Sequence, residues 1–526
     1  MNGIPWLTVL ILTPVVGAVL VSSLGAKRRL LAPWLGLIFG LLAAVVAAKL
    51  WLEFDGGSAE LQFVERHPWI SSPRVEYYLG LDGLGLLMVL LSAFVVPFAM
   101  LASWRVEERT GLYFALLLAL QAGLFGAFTA LNFFHWFLFW ELSLVPAFFL
   151  IRLWGGPRRV AAATQFFIYT LAGSVALLLA FLALYYATGL FNFKDLAELA
   201  RRGALASALF ERLGPQGLFA TKEGLAGFIF LLAFLGFAVK VPLFPFHTWL
   251  PLTYAEAPTG VTMVLTGALS KLGVYGFLRV LLPVFPDQMR QFMTPLLWLA
   301  VASVVLSTWA AFAQTDLKRM LAYSSVNHLG YCLLGVFVVL APLTGAADGV
   351  ALKRWETEQA AALDGVLLQM FNHGVIASAL FCFVGFLEQR SGGLRGLGDF
   401  GGLRRPAPVF AGLMGIALFA SLGLPGLSGF VGEFLIFKGA FALAPWAAAL
   451  STLGLLVTAV FLLTLMQRVF HGPLGARWST FTDLTVTERW IVGPAIGLIF
   501  VVGICPQLVL GLVNQTVLRW VEQLRF

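Results

Sequence analysis

Residues 225–248 read LAGFIFLLAFLGFAVKVPLFPFHT. With about 20 mostly apolar residues this run is long enough to cross a bilayer as a helix. Lys240 falls inside it, and Pro242 and Pro245 follow at once. Each proline removes a backbone donor and interrupts the helical ladder. Residues 408–440, PVFAGLMGIALFASLGLPGLSGFVGEFLIFKGA, repeat the design. There Leu424-Pro425-Gly426-Leu427-Ser428-Gly429 breaks the apolar run and Glu433 follows. Two apolar helices, each broken and each with an ionisable residue near the break, thus lie five spans apart. Interrupted helices at matching positions in two halves point to inverted repeats with a transport site between them. The freed backbone groups are tolerable at membrane depth only where they line a wet or protein-filled cavity.

The rest of the chain supports a membrane reading. Of 526 residues, 60% are hydrophobic and 11% charged, against about 45–50% and about 25% in soluble globular proteins. A soluble enzyme, a disordered tail and a secreted disulfide scaffold are excluded. The three cysteines, Cys332, Cys382 and Cys505, sit singly in apolar runs and read as small buried hydrophobes. An iron–sulfur cluster needs about four convergent cysteines, and the six histidines form no HExxH pattern. No metal site and no bound cofactor are expected, and neither a GxGxxG turn nor a phosphate-binding loop is present to hold a nucleotide. The net charge of +8 is spread through loops, which fits the positive-inside rule better than nucleic-acid binding.

About fourteen transmembrane helices are expected, in one integral membrane domain covering 1–526. The first runs from Ile4 to Leu24 and is followed by Lys27, Arg28 and Arg29. A cleavable signal carries its charge before the apolar stretch, so this is a retained span with the N-terminus outside. The others are expected near 33–52, 79–104, 112–131, 133–152, 164–189, 225–248, 259–282, 295–313, 320–341, 364–387, 408–440, 447–469 and 489–514. Two inverted five-helix repeats are expected over about 112–282 and 295–470, with spans seven and twelve discontinuous. Arg152, Arg158, Arg159, Lys318, Arg319, Arg390, Arg395, Arg404, Arg405, Arg468 and Arg477 then fall on the cytoplasmic side. The acid-rich loop with Glu53, Asp55, Glu60 and Glu65 falls outside.

Four ionisable residues lie in the middle of apolar spans: Glu141, Lys240, Lys271 and Glu433. Each costs about 2.5–3.5 kcal/mol on insertion scales, so they should face inward. One acid–base pair could merely pin two helices. Two acids and two lysines, two of them beside broken helices, point instead to ion movement. Lys240 and Lys271 lie too far from their span ends to snorkel. His328, in YSSVNHLGY, and His373, in FNHGVIASALF, are ready proton carriers, and Ser324, Ser325, Asn327 and Asn372 suggest a polar lane beside them. His247 suits either a channel mouth or a half-helix cap. Lys438 reads equally as a structural or a relay lysine. His67, His135 and His471 read as loop or boundary residues.

The runs FAVKVPLFPFHTWLPLTYAEAPTGVTMVLTGALSKLGVYGFLR, AFAQTDLKRMLAYSSVNHLGY and GLPGLSGFVGEF resemble the antiporter-like membrane subunits of proton-pumping NADH:quinone oxidoreductase, respiratory complex I. The likeness extends from about Tyr78 to the last span. The acid at Glu433 and the length of the chain are most similar to the chain M (chain 4) branch of that family. The resemblance implies that Glu141 partners Lys240, that Lys271 is the central relay lysine, that His328 and His373 carry protons across the middle, and that Glu433 is the terminal group toward the periplasm. It implies a multi-pass protein of the bacterial inner membrane whose partners are other membrane subunits, with protons as the transported species. Where the family often reads His-x-Trp-Leu-Pro-Asp-Ala-His, this chain has His247-Thr248-Trp249-Leu250-Pro251-Leu252-Thr253-Tyr254, so no role for that acid and final histidine transfers. The rival readings are a subunit of a multi-chain cation/proton antiporter, the matching subunit of a membrane-bound hydrogenase, and a purely structural scaffold. Four buried charges argue against the scaffold, and Glu433 against the antiporter.

Overall fold

The computed structural model describes residues 4–24, 30–214, 219–342 and 349–524. Lys27, Arg28 and Arg29 lie outside the described residues. Among the described residues the secondary structure is helical apart from one β-hairpin, with irregular connections between the helices. In order, the elements are α1 (Trp6–Ser22), α2 (Ala32–Glu53), β1 (Gln62–Ile70), β2 (Val75–Leu81), α3 (Gly83–Ala102), α4 (Thr110–Thr129), α5 (Phe133–Trp154) and α6 (Arg159–Thr188). Next come α7 (Phe193–Arg201), α8 (Leu205–Leu213), α9 (Lys222–Lys240), α10 (Trp249–Glu256) and α11 (Thr259–Val284). Then follow α12 (Pro286–Gln291), α13 (Met293–Phe312), α14 (Leu317–Val338), α15 (Gly349–Ser391), α16 (Pro408–Ser421), α17 (Ser428–Leu443), α18 (Pro445–Phe470), α19 (Val486–Ile504) and α20 (Gln507–Gln523).

Among the described residues, twelve helices are long and apolar enough to cross a membrane. The shorter helices α1 and α16 are apolar as well, and α16 and α17 are the two parts of the interrupted span expected at 408–440. Polar side chains start the helices where the sequence offers them. Asp82 accepts from Gly85 N at 3.0 Å to cap α3, Asn132 caps α5, and Thr485 with Glu488 forms a capping box on α19. The most apolar stretches of α11 and α15 are buried entirely, whereas most of α2, α18 and α19 faces outward. Their exposed leucines, valines and tryptophans suit a lipid environment rather than water.

The connections sort onto two faces. On one, Trp154 Nε1 donates to Glu108 O (2.7 Å), Arg395 pairs with Glu256 (3.1 Å) and Leu317 N donates to Arg395 O (2.9 Å). On the other, Leu131 N donates to Tyr78 O (3.0 Å), Asn132 bonds Asn192 (3.2 Å) and Arg519 donates to Ala59 O (2.9 Å).

Several expected boundaries change. The loop after α2 holds the antiparallel hairpin β1–β2, so the third crossing starts at Gly83 instead of 79. Glu65 on β1 is buried and accepts from Leu7 N at 2.7 Å, capping α1 where Pro5 offers no side-chain acceptor. The span expected at 364–387 is the C-terminal part of a 43-residue helix. The span expected at 489–514 is not continuous: Cys505 and Pro506 separate α19 from α20, because Pro506 cannot continue the α19 ladder. Cys505 at that corner is exposed, unlike buried Cys332 and Cys382.

Candidate functional site

Both predicted breaks are present. α9 ends at Lys240, and the segment 241–248 leads to the short helix α10. Phe237 O keeps its regular donor, Val241 N (2.9 Å), while the next carbonyls find new ones: Leu243 N on Ala238 O (2.9 Å) and Trp249 Nε1 on Val239 O (3.0 Å). The segment is also tied to α13, because Phe244 N donates to Ser303 Oγ at 2.7 Å. The second break, 422–427, separates α16 from α17. Gly423 turns the chain at φ +80°, and a Cβ there would stand 2.8 Å from Glu433 Oε2. The chain therefore folds back onto the carboxylate, which only glycine permits.

Lys271 lies at the centre. It follows a π-helical turn, Leu265–Leu269, in α11. Such turns widen the ladder and recur at functional sites. The Lys271 ammonium donates to Thr266 O and, at 2.7 Å, to His373 Nδ1 on α15. That meeting requires α11 and α15 to cross closely. A Cβ on Gly374 would stand 2.7 Å from Gly267 O, so the small residues bring the two backbones together. Ser378 Oγ, donating to Met263 O at 3.0 Å, fastens the crossing.

From His373 the polar groups continue. Its ring centroid is 5.2 Å from that of His328 on α14. A small cavity of about 10 Å³, measured for water centres, lies beside both rings and is lined by Ser324, Ser325 and Ser421. This is the smallest volume that admits about one water. His328 Nε2 shares a hydrogen bond with Ser421 Oγ (3.1 Å), and its Nδ1 is 3.1 Å from Glu433 Oε1. Gln369, one turn before His373 on α15, donates to the same carboxylate oxygen at 3.1 Å. Lys271, His373, His328 and Glu433 are 0–6% exposed. The four form one buried line whose only wide step is between the two imidazoles.

Glu141 and Lys240 are a different case. Lys240 is 2% exposed and its Nζ has no hydrogen-bond partner. Glu141 is half-buried, and its Oε1 is likewise enclosed without a partner. No ion pair closes between them. The Lys240 Nζ rests instead 4.8 Å from the ring centre of Trp140.

Other expectations resolve individually. Lys438 pairs with Glu358 at 2.6 Å. His247 is half-buried in the first break, stacked on Phe244 with ring centroids 5.5 Å apart. His135, expected at a boundary, is buried in the first turn of α5 among Trp69, Tyr77 and Phe139. Asn327 donates to Tyr331 OH (3.1 Å) and Thr458 Oγ1 (2.9 Å), and Asn372 donates to Ser428 O. Among the described residues no group of three or more His, Cys, Asp or Glu is placed to hold a metal ion.

Sequence reasoning missed Gln369, Ser421 and two charge clusters. The helical spacing of Gln369 and His373 was a usable signal for the first. On one face Arg395 reaches Asp316 (2.6 Å), Glu256 (3.1 Å) and Glu388 (3.8 Å), while Lys318 reaches Glu388 (2.7 Å). Near the other, Arg279 grips Asp82 with two bonds of 2.6 and 2.5 Å. These partners lie far apart in sequence, so no local pattern announces them.

A polytopic bundle with two broken helices and a buried line of titratable groups defines an antiporter-like membrane protein. Comparison with known proteins gives the family. The family model for the transmembrane region of the NADH:quinone oxidoreductase/Mrp antiporter proteins matches residues 130–461, and the chain belongs to that family. It is 35% identical over 492 residues to NADH-quinone oxidoreductase subunit M of Rhodobacter capsulatus, covering 93% of this chain and 90% of the relative. To the subunit M of Mycobacterium tuberculosis it is 33% identical, covering 98% and 94%. Among solved structures it is similar to a chain of respiratory complex I from Thermus thermophilus with bound NADH, at TM-score 0.82, 30% identity, and coverage of 99% and 100%. A chain of the Mrp complex from Dietzia sp. shares the fold, at TM-score 0.81 and 19% identity.

Proposed function

We propose that this chain is the M-type proton-translocating subunit of an NADH:quinone oxidoreductase, and that Glu141, Lys240, Lys271, His328, His373 and Glu433 form its relay. The observation that carries this reading is the buried line from Lys271 Nζ through His373 and His328 to Glu433. Groups that bind and release protons, spaced within one or two hydrogen bonds, are what proton transfer needs and what a scaffold does not. Electron transfer from NADH to quinone belongs to other subunits of the complex. Its energy reaches this chain through contacts with neighbouring membrane subunits.

The mechanism follows from charge physics. A carboxylate beside an ammonium favours its charged form. Moving Glu141 toward Lys240 holds a proton there, and moving it away frees that proton to pass inward to Lys271. Lys271 hands a proton to His373 Nδ1, to which it is already hydrogen-bonded. One water in the adjoining cavity closes the gap to His328. Glu433 takes the proton from His328 and releases it toward the outer face.

Two further parts belong to the proposal. The broken helices α9 and α16–α17 fall at equivalent places in the inverted repeats 112–282 and 295–470. The protein lies in a bacterial inner membrane, oriented by the positive-inside rule. The face carrying Arg152, Arg158, Arg159, Arg390, Arg395, Arg404 and Arg405 has a surplus of basic residues and is cytoplasmic. The opposite face, with the hairpin, is balanced in charge, and the N-terminus lies with it, outside.

The test is proton pumping by the assembled complex in proteoliposomes. Lys240→Ala and Lys271→Ala should each cut NADH-driven pumping at least tenfold and leave NADH oxidation by a water-soluble acceptor unchanged. Normal pumping in both variants would reduce the buried line to a structural feature.

A further inference from the structure

The ammonium of Lys240 lacks what a buried cation ordinarily requires. It is 2% exposed, has no hydrogen-bond partner and makes no closed ion pair with Glu141. An unpaired charge at that depth is costly. Two features compensate. Lys240 is the last residue of α9, so it stands at the negative end of that helix dipole. Its Nζ also lies 4.8 Å from the centre of the Trp140 indole ring, within the range in which a ring face attracts a cation.

The ring is held on several sides. Trp140 is 2% exposed, and its Nε1 donates to Ser174 Oγ on α6 at 2.9 Å. Trp136 packs against it at 4.8 Å, and Phe237, one turn before Lys240 on α9, meets it edge-on at 5.7 Å with planes 84° apart. The indole therefore cannot rotate to follow the lysine. The lysine must come to the indole.

We propose that Trp140 is a positioning residue: a second resting place for the Lys240 ammonium, used when the Glu141 carboxylate is withdrawn. Trp140 and Glu141 are consecutive on α5, so their side chains leave the helix about 100° apart. The flexible four-carbon arm of Lys240 can swing between them while its charge stays compensated. In this structure the arm rests at the indole. The ring face stabilises the cation less than a carboxylate does, so a proton held there is retained but more easily passed on. The proposal rests on the assignment of Lys240 to the relay.

The experiment uses the whole complex in proteoliposomes and compares Trp140→Tyr, Trp140→Phe and Trp140→Leu with the wild type. NADH-driven pumping is read as a function of pH, and water-soluble-acceptor activity serves as the assembly control. Tyrosine and phenylalanine keep a ring face but a weaker one, and leucine has none. Pumping should fall in the order Trp, then Tyr and Phe, then Leu, with Leu at least tenfold down. Without the face the cation loses its proton more readily, so the alkaline limb of the profile should move to lower pH, by about one unit in Leu. An equal loss in all three variants with an unmoved profile overturns the proposal, because ring volume alone would then matter. An unchanged rate and profile in Leu overturns it as well. If Leu fails to assemble, the Phe profile decides in the same two ways. Should Lys240→Ala pump normally, the relay assignment itself falls, and that result is distinct from any in the Trp140 series.

Discussion

Replacing Glu433 by glutamine tests the end of the buried line. The glutamine carbonyl can still accept from Gln369 Nε2, now at 3.1 Å from Glu433 Oε1, so the side chain should keep its place beside Gly423. What disappears is the charge 3.1 Å from His328 Nδ1. A hydrogen bond to a charged group is worth about 1.5–3 kcal/mol, and about 1.4 kcal/mol is a factor of ten in rate. A relay that must release its proton without this group should slow by about ten- to hundredfold. The assay is NADH-driven acidification in proteoliposomes, normalised to water-soluble-acceptor activity. Glu433→Asp separates position from charge. Shortening the side chain by one methylene withdraws the carboxylate by about 1.5 Å, which stretches the His328 contact beyond hydrogen-bonding distance but leaves a group that can carry a proton. Its activity should lie between wild type and glutamine. Pumping in Glu433→Gln within twofold of wild type would refute this account of the pathway.

Glu141→Gln should assemble and lose most pumping, since the amide cannot supply the charge that acts on Lys240; an unaffected pumping rate would mark Glu141 as structural. Gly423→Ala forces φ +80° on a residue with a Cβ and should cost about 1–2 kcal/mol while pressing on Glu433 Oε2. Thermal unfolding should shift by a few degrees and pumping should fall further than that shift explains. The hairpin carries a pH dependence of its own. The hydrogen bonds from Arg66 hold the Glu76 carboxyl below its usual value of 4.5, with Asn192 adding to the effect. A lowered value means the contact contributes fully above about pH 4.5 and is lost as pH falls through the lower, folded value. Both side chains are substantially exposed, so the contribution is below about 1 kcal/mol. Protease cleavage at the hairpin should rise in that acid window, and Glu76→Gln should abolish the dependence.

The breaks in spans seven and twelve were legible because proline and glycine act locally, and their neighbours Lys240 and Glu433 stood out against apolar surroundings. The connection of His328 to Glu433 was legible only in kind. Nothing in the sequence states that α14 and α17 bring those two side chains to 3.1 Å, since the geometry depends on close packing of helices about a hundred residues apart. Hydropathy placed α15 from 364, yet the polar residues from 349 continue the same helix, because helical hydrogen bonds do not stop at an apolar boundary. The last crossing was drawn through Pro506, although proline there was a usable stop signal. Trp140 was unreadable for another reason. In HWFLFWELSLV an aromatic side chain looks like packing, and only its position under the Lys240 ammonium gives it a second role.

The two breaks also explain which sign of charge each one carries. Lys240 is the final residue of its half-helix, beside carbonyls that have lost their regular partners. Glu433 is in the second turn of α17, whose N-terminus has no side-chain cap. A helix end is equivalent to about half a charge, negative at the C-terminus and positive at the N-terminus. At an exposed surface water and salt screen this field, but Lys240 and Glu433 are themselves buried and are screened less. A cation is therefore compatible with the first position and an anion with the second, whatever their other partners do. The same field keeps each charge from being held by a single opposite charge alone. Lys240 can leave Glu141 for an aromatic face, and Glu433 can share His328 with Ser421, without either becoming an uncompensated ion. A relay needs groups that change partners at low cost. Placing Lys240 and Glu433 each beside a helix end of opposite sign supplies that at the two breaks, whereas Glu141 lies within the continuous helix α5 and Lys271 follows the π-helical turn of α11.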